Sequence, residues 1–185
     1  MRASRVVIVP LLMLLLQGFA LAQTTERTID GAASKAEFSL SHIFVSRVTG
    51  SLPIEGGAVT LASGSTIPVS VRATLDATKI STGDRDQSAC IQGPDYFDAV
   101  RFPTVMFAST KIVQIGPSAF GMDGTLTMHG VSRPEHLDVT ITGDAEHPSY
   151  HATGQIDRHL FGMHGSRLDP VIGGIVDVTL NIVLE

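Results

Sequence analysis

Tryptophan is absent from this 185-residue chain, tyrosine occurs twice and cysteine once. With one thiol, Cys90, an internal disulfide is excluded, so stability must come from packing and backbone hydrogen bonds. No basic residue neighbours Cys90 in sequence, and it is read as a small buried hydrophobe. Charged residues make up 17% of the chain and no Lys/Arg run occurs. Thirteen basic residues face eighteen acidic ones, for a formal net charge of −5. Nucleic acid and anionic membrane surfaces are therefore poor partners. The longest apolar run, Val6 to Leu16, is interrupted by Pro10 and falls short of the roughly 20 residues a membrane helix needs. Motifs for covalent chemistry are also missing: there is no Gly-x-Ser-x-Gly elbow and no phosphate loop. No catalytic residue is assigned, and the chain is not expected to be an enzyme.

What is present begins with a three-part leader. Arg2 and Arg5 supply its positive start, Val6 to Leu16 its apolar centre and Ala20-Leu21-Ala22 its small residues. The pattern predicts a signal peptide over residues 1–22 and export to the periplasm, with no stable membrane insertion after cleavage. Residues 23–185 are then one domain, large enough for a real core. Losing Arg2 and Arg5 leaves that domain more acidic still.

Alternation with a period of two dominates this domain. Phe38, Leu40, His42 and Phe44 share one face. Ile67, Val69, Val71, Ala73 and Leu75 share another, as do Phe120, Met122, Leu126 and Met128. The pattern continues through Leu137, Val139 and Ile141, and through Val176, Val178, Leu180, Ile182 and Leu184. Each run predicts a strand with one dry face, as antiparallel sheets require. Turn signals such as Gly56-Gly57, Gly116-Pro117-Ser118, Gly130 and Gly173-Gly174 separate them. Many such strands predict a sandwich or barrel, and consecutive hairpins favour an up-and-down barrel. Residues 84–92 lack alternation and predict a short helix, with Ser81 and Thr82 as N-cap candidates. Tyr96, Phe97 and Phe102 follow it and are expected to cover one end of the sheet.

A barrel of about eight strands is either filled by side chains or holds one small ligand. The dry faces carry Phe, Met, Leu and Val with few polar atoms. That lining suits a hydrocarbon chain and is wrong for a sugar or nucleotide. Burying one methylene gains about 0.8 kcal/mol, so a five-carbon branched unit gains on the order of 3–4 kcal/mol before ordering costs. Pattern alone leaves a lined cavity and a filled core equally open.

Several segments resemble one family in order along the chain. They are Ala36-Glu37-Phe38-Ser39-Leu40-Ser41-His42 with Val45-Ser46-Arg47-Val48-Thr49-Gly50, Asp76 to Asp86, and Asp95 to Phe107 with its Asp-x-Phe-Asp-x4-Pro-x3-Phe spacing. Gly124 to Pro134 and Asp157-Arg158-His159-Leu160-Phe161-Gly162-Met163 complete the set. Together they resemble the YceI family of periplasmic lipocalin-like proteins, from about Ile29 to Glu185. The resemblance implies an all-β fold, an extended eight-stranded antiparallel barrel with a short helix near one end. It also implies binding, sequestering or carrying of a long polyisoprenoid or isoprenoid-quinone lipid, with no other cofactor. Leu52 departs from the family where an aromatic is common, and Gln87 to Ile91 replaces the usual residues after Arg-Asp.

The expected ligand lining is Phe38, Leu40, Phe44, Val71, Leu75, Phe97, Phe102, Phe107, Phe120, Met122, Leu126, Met128, Phe161 and Met163. Arg85 is read as an ion pair with Asp95 or Asp98, or else as a clamp on an acidic head group. Asp157-Arg158 is read as a tie between strands. The histidines are scattered, and neither His147/His151 nor His159/His164 is expected to converge, so no metal site is assigned. His42 and His129 are expected to be hydrogen-bonded in the interior or at the rim. Two alternatives stay open: a metal-assisted hydrolase using His147, His151 or His159, and a solid barrel acting as a protein-interaction module. Homodimerisation is also left open.

Overall fold

The computed structural model describes residues 23–42, 46–144, 146–165 and 172–185. The expected leader lies outside them. The chain forms an antiparallel sheet of ten strands curled into a lipocalin-like barrel. In order these are β1 Thr24–Thr28, β2 Lys35–His42, β3 Ser46–Leu52, β4 Ile54–Ala62, β5 Pro68–Asp76, β6 Thr104–Gly116, β7 Ala119–Met128, β8 Val131–Ile141, β9 Ser149–Asp157 and β10 Ile172–Val183. Helix α1, Arg85–Gln92, lies between β5 and β6.

The strand count corrects the expected eight, and two local breaks explain it. Pro53 has no N–H to give and separates β3 from β4, which otherwise run on as one bent strand. Between β1 and β2, Asp30 caps a tight turn. Its carboxylate accepts from the amides of Ala32 (2.9 Å) and Ala33 (3.0 Å). β1 pairs with β4 and β2 pairs with β3, so the four short strands occupy two positions in the wall. β10 pairs with β2, which closes the circuit. At one end the closure is reinforced by a bridge between Ile29 and Leu184 and by the Glu185 amide donating to Thr28 O at 2.9 Å.

Inward faces follow the alternation except where bulges shift it. Phe120, Met122, Leu126 and Met128 of β7 are all buried. In β5 the register slips opposite Thr60 and Leu61. Pro68 is therefore buried and Val69 is 54% exposed, which corrects the expected inward Val69. A second slip in β6, between Ser109 and Lys111, turns Ile112 toward the core and leaves Val113 and Ile115 outside.

The interior divides into two clusters. One, around Phe120, Met122, Val139, Tyr150 and Leu184, fills the end closed by the Ile29 bridge. The other, around Phe38, Leu126, Met128, Phe161 and Met163, lies toward α1. Between β7 and β8, His129 and Gly130 both have positive φ (51° and 73°), the two-residue hairpin turn that suits twisted strands.

Candidate functional site: an apolar cavity in the barrel

Between the two clusters the barrel is hollow. The cavity holds about 380 Å³ and is lined almost entirely by carbon, within the range of small-molecule sites. Phe38, Leu40, Val71, Leu75, Phe97, Phe107, Phe120, Met122, Leu126, Met128 and Met163 all line it. Phe44 lies outside the described residues. β10, absent from the expected lining, contributes Val176, Val178, Leu180 and Ile182. Its strict alternation was visible in the sequence and carried that signal. Ile54, Val59, Leu137, Val139, Ala152 and Ile156 complete much of the wall.

Phe102 and Phe161 are placed elsewhere. Phe161 is fully buried in a 3-10 turn, Arg158–Phe161, which ends at Gly162 with φ 78°. This turn folds Phe161 into the packing at the α1 end, away from the expected ligand lining. Phe102 stands edge-on to His129, with ring centroids 5.2 Å apart, and covers Gly130. His129 in turn donates from Nδ1 to the Phe161 carbonyl at 2.9 Å. Both phenylalanines therefore brace the β7–β8 turn against the 3-10 turn.

The cavity reaches solvent beside α1. Gln87 and Cys90 line it and are exposed, with Ile91, Tyr96 and Phe97 next to them. Cys90 is thus exposed at the mouth, because no residue of α1 is buried. The helix is capped by Asp84, whose carboxylate accepts from the Gln87 amide at 2.8 Å. Ser81 and Thr82 do other work: Ser81 bridges Ser51, and the Thr82 amide donates to the Ser88 hydroxyl. Arg85 is exposed, and Asp98 pairs instead with Arg101 at 3.4 Å. Asp98 has a positive φ of 44° and accepts that charge within its own turn.

Few polar groups touch the lining. Tyr150 closes one end, with its hydroxyl donating to Thr66 O at 2.9 Å. Burial pushes its phenol up to about 12. Arg158, 3% exposed, donates to the carbonyls of Gly173, Met163 and Ile172. It ties the 3-10 turn to the start of β10, a buried cation held by carbonyl dipoles. Glu135 of β8 also lines the cavity. Burial, and secondarily the charge of Asp157, hold its carboxyl above the usual range.

His136, His147 and His151 are held by separate partners, and the side chain of His42 lies outside what the structure describes. His151 lies 2.8 Å from the Asn181 amide oxygen, and His147 lies 3.6 Å from Asp144. His136 sits between Asp123 (2.6 Å) and Asp138 (3.5 Å), and the hydrogen bond to Asp123 raises its pKa. One expectation is corrected: the rings of His159 and His164 stack at 5.7 Å, because the turn ending at Gly162 doubles the chain back. Among the described residues no three His, Cys, Asp or Glu side chains gather as a metal-binding group.

A lipocalin-like barrel around an apolar chamber defines the class. Residues 28–184 match the YceI-like domain model, and the chain belongs to that family. It is similar to a UPF0312 protein of Vibrio campbellii, 26% identical over 129 residues, covering 69% of this chain and 68% of that one. Its fold is similar to that of Burkholderia cenocepacia BcnA, with a TM-score of 0.69 at 19% identity, covering 84% of this chain and 98% of that one. It is likewise similar to a polyisoprenoid binding domain from Saccharophagus degradans. That match has a TM-score of 0.68 at 15% identity and covers 86% of this chain and 97% of that one.

Proposed function

We propose that this protein binds a long isoprenoid or similar lipid in its barrel and carries or sequesters it in the periplasm. The observation that carries this is the chamber itself: about 380 Å³ of apolar space open beside α1. Side chains leave it unfilled although Phe, Met and Leu crowd its wall. An unfilled apolar space forgoes packing energy unless something occupies it. Burying a five-carbon unit gains on the order of 3–4 kcal/mol before ordering costs, so a few units suffice for tight binding. Met122, Met128 and Met163 supply adaptable contacts to a branched chain. The described polyisoprenoid binding of the Saccharophagus domain supports the same ligand class. The leader pattern over residues 1–22 supports export.

The test uses delipidated protein loaded with a fluorescent apolar probe and titrated with a polyprenol. The wild type is expected to release the probe saturably. Met122→Glu buries a charge in the chamber and is expected to weaken binding by about a hundredfold or more. Unchanged binding in that variant, if it is folded, would contradict the proposal.

A further inference from the structure

The wall of the barrel has a gap, and a carboxylate stands beside it. β8 directs its odd-numbered residues inward: Leu137 and Val139 are buried and line the cavity. Glu135 continues that face and lines the cavity too. Its register partner on β7 is Gly124, which has no side chain because the Phe107 ring lies over it. On the other flank β9 has turned away. β8 and β9 pair only from Asp138↔Thr153 to Ile141↔Tyr150. At Gly154 the strands are still close, since a Cβ there would meet Leu137 and the His136 carbonyl. Beyond it, Gln155, Ile156 and Asp157 pair with β10 alone. The edges rejoin where Arg133 Nε donates to Leu160 O at 3.1 Å.

Glu135 is partly buried, and no hydrogen bond or ion pair to it is found among the described residues. The charges near it leave it unanswered. Arg133, on its own strand, is engaged with Leu160 O. Arg158 is turned to the carbonyls of Met163, Ile172 and Gly173. From β9 comes Asp157, of like charge, with His159 3.3 Å from that carboxylate. From β7 the inward groups are Met122, Gly124 and Leu126, none charged. The gap is therefore a place where a carboxylate without a hydrogen-bond partner meets an apolar chamber, the Arg133 and Arg158 guanidinium groups being directed to carbonyls and not to it.

We infer that Glu135 is the head-group acceptor: the lipid ends in a hydrogen-bond donor, an alcohol or an amine, seated at the β8–β9 gap, and anionic heads are rejected. This rests on the lipid-binding function proposed above. A donating head supplies the partner that a partly desolvated carboxyl lacks. A phosphate would bring a third negative charge beside Glu135 and Asp157. The upward shift of the Glu135 carboxyl has the same origin, burial first and Asp157 second.

Three probes with one tail separate the heads: farnesol, farnesylamine and farnesyl phosphate, each competed against the fluorescent probe at neutral pH on the full chain. Wild type is expected to bind the alcohol and the amine at least about tenfold tighter than the phosphate. Glu135→Leu is expected to bring the three within about threefold of one another. Glu135→Gln, closer in shape, is expected to keep the alcohol and lose the preference for the amine. Equal displacement by all three in wild type, or an unchanged ranking in both variants, overturns the role of Glu135 and leaves tail binding intact. Failure of all three to displace the probe overturns both.

Discussion

Two seams of the barrel share strand β8 and differ in almost everything else. The seam with β7 runs in unbroken register from Ala119↔Thr140 to Met128↔Val131. Its inner face carries Phe120, Met122, Leu126 and Met128, all buried. The seam with β9 pairs only between Asp138 and Ile141 and then opens. Its inner face there carries Glu135 and Ile156, both partly exposed. The first is a wall in the ordinary sense, with every cross-strand pair contributing. The second trades ladder bonds for access. Side-chain bonds to turn carbonyls, from Arg133 to Leu160 and from His129 to Phe161, hold its far end. A cavity wall thus combines a rigid stretch that sets its shape with a loose stretch at which a polar group meets the lining.

Truncation should separate the seams most sharply. Phe120→Ala, at a site 1% exposed, is expected to cost about 3–5 kcal/mol in denaturant unfolding. Ile156→Ala, beside the gap, is expected to cost about 1–2 kcal/mol because its site is already partly open. Equal losses would mean the gap is packed in solution. Amide hydrogen exchange gives a smaller but more local contrast. Amides of β8 that point toward β9 before Asp138 are expected to exchange at least about tenfold faster than those bonded to β7. Uniform protection along both edges of β8 would remove the gap from the account.

The smallest effect is in pH dependence, and its sign distinguishes two carboxyls. Glu135 binds its proton more tightly when folded, so its destabilising effect is full above its folded pKa and disappears as pH falls to the unfolded value. Asp76 is held low by Lys79 and then Thr78, so its stabilising effect is present above the ordinary carboxylate pKa and is lost as pH falls through its lower folded value. Acidification from neutral should therefore first relieve Glu135 and then weaken Asp76. Glu135→Gln is expected to abolish the first limb of the melting-temperature curve and leave the second. Asp76→Asn is expected to do the reverse.

Much of the rigid seam was legible in the sequence. The alternation of Phe120, Met122, Leu126 and Met128 reads directly as an inward face, and so does that of Val176 to Ile182. Register shifts were not legible. The slip that exposes Val69 and buries Pro68 depends on how β4 meets β5, a pairing that no window of β5 records. The 3-10 turn that buries Phe161 was not legible either, because the αL break at Gly162 has no effect on its neighbours' hydropathy. The loose seam was hidden for a related reason. Where β9 leaves β8 is a tertiary event, fixed by the 3-10 turn and by Arg158. Glu135 did leave a trace: it stands two residues before Leu137, on the same face as Leu137 and Val139. A charge at that phase of a strand is a signal for a polar group in an apolar lining.

What matters most is whether the barrel takes up something long and apolar. Native mass spectrometry of the full chain, purified without detergent from the exported fraction, tests it most directly. The account predicts a non-covalent adduct with the mass of a long-chain lipid, retained by wild type and missing from folded Met122→Glu. A bare protein mass in every preparation, unchanged when polyprenol is added, would contradict it.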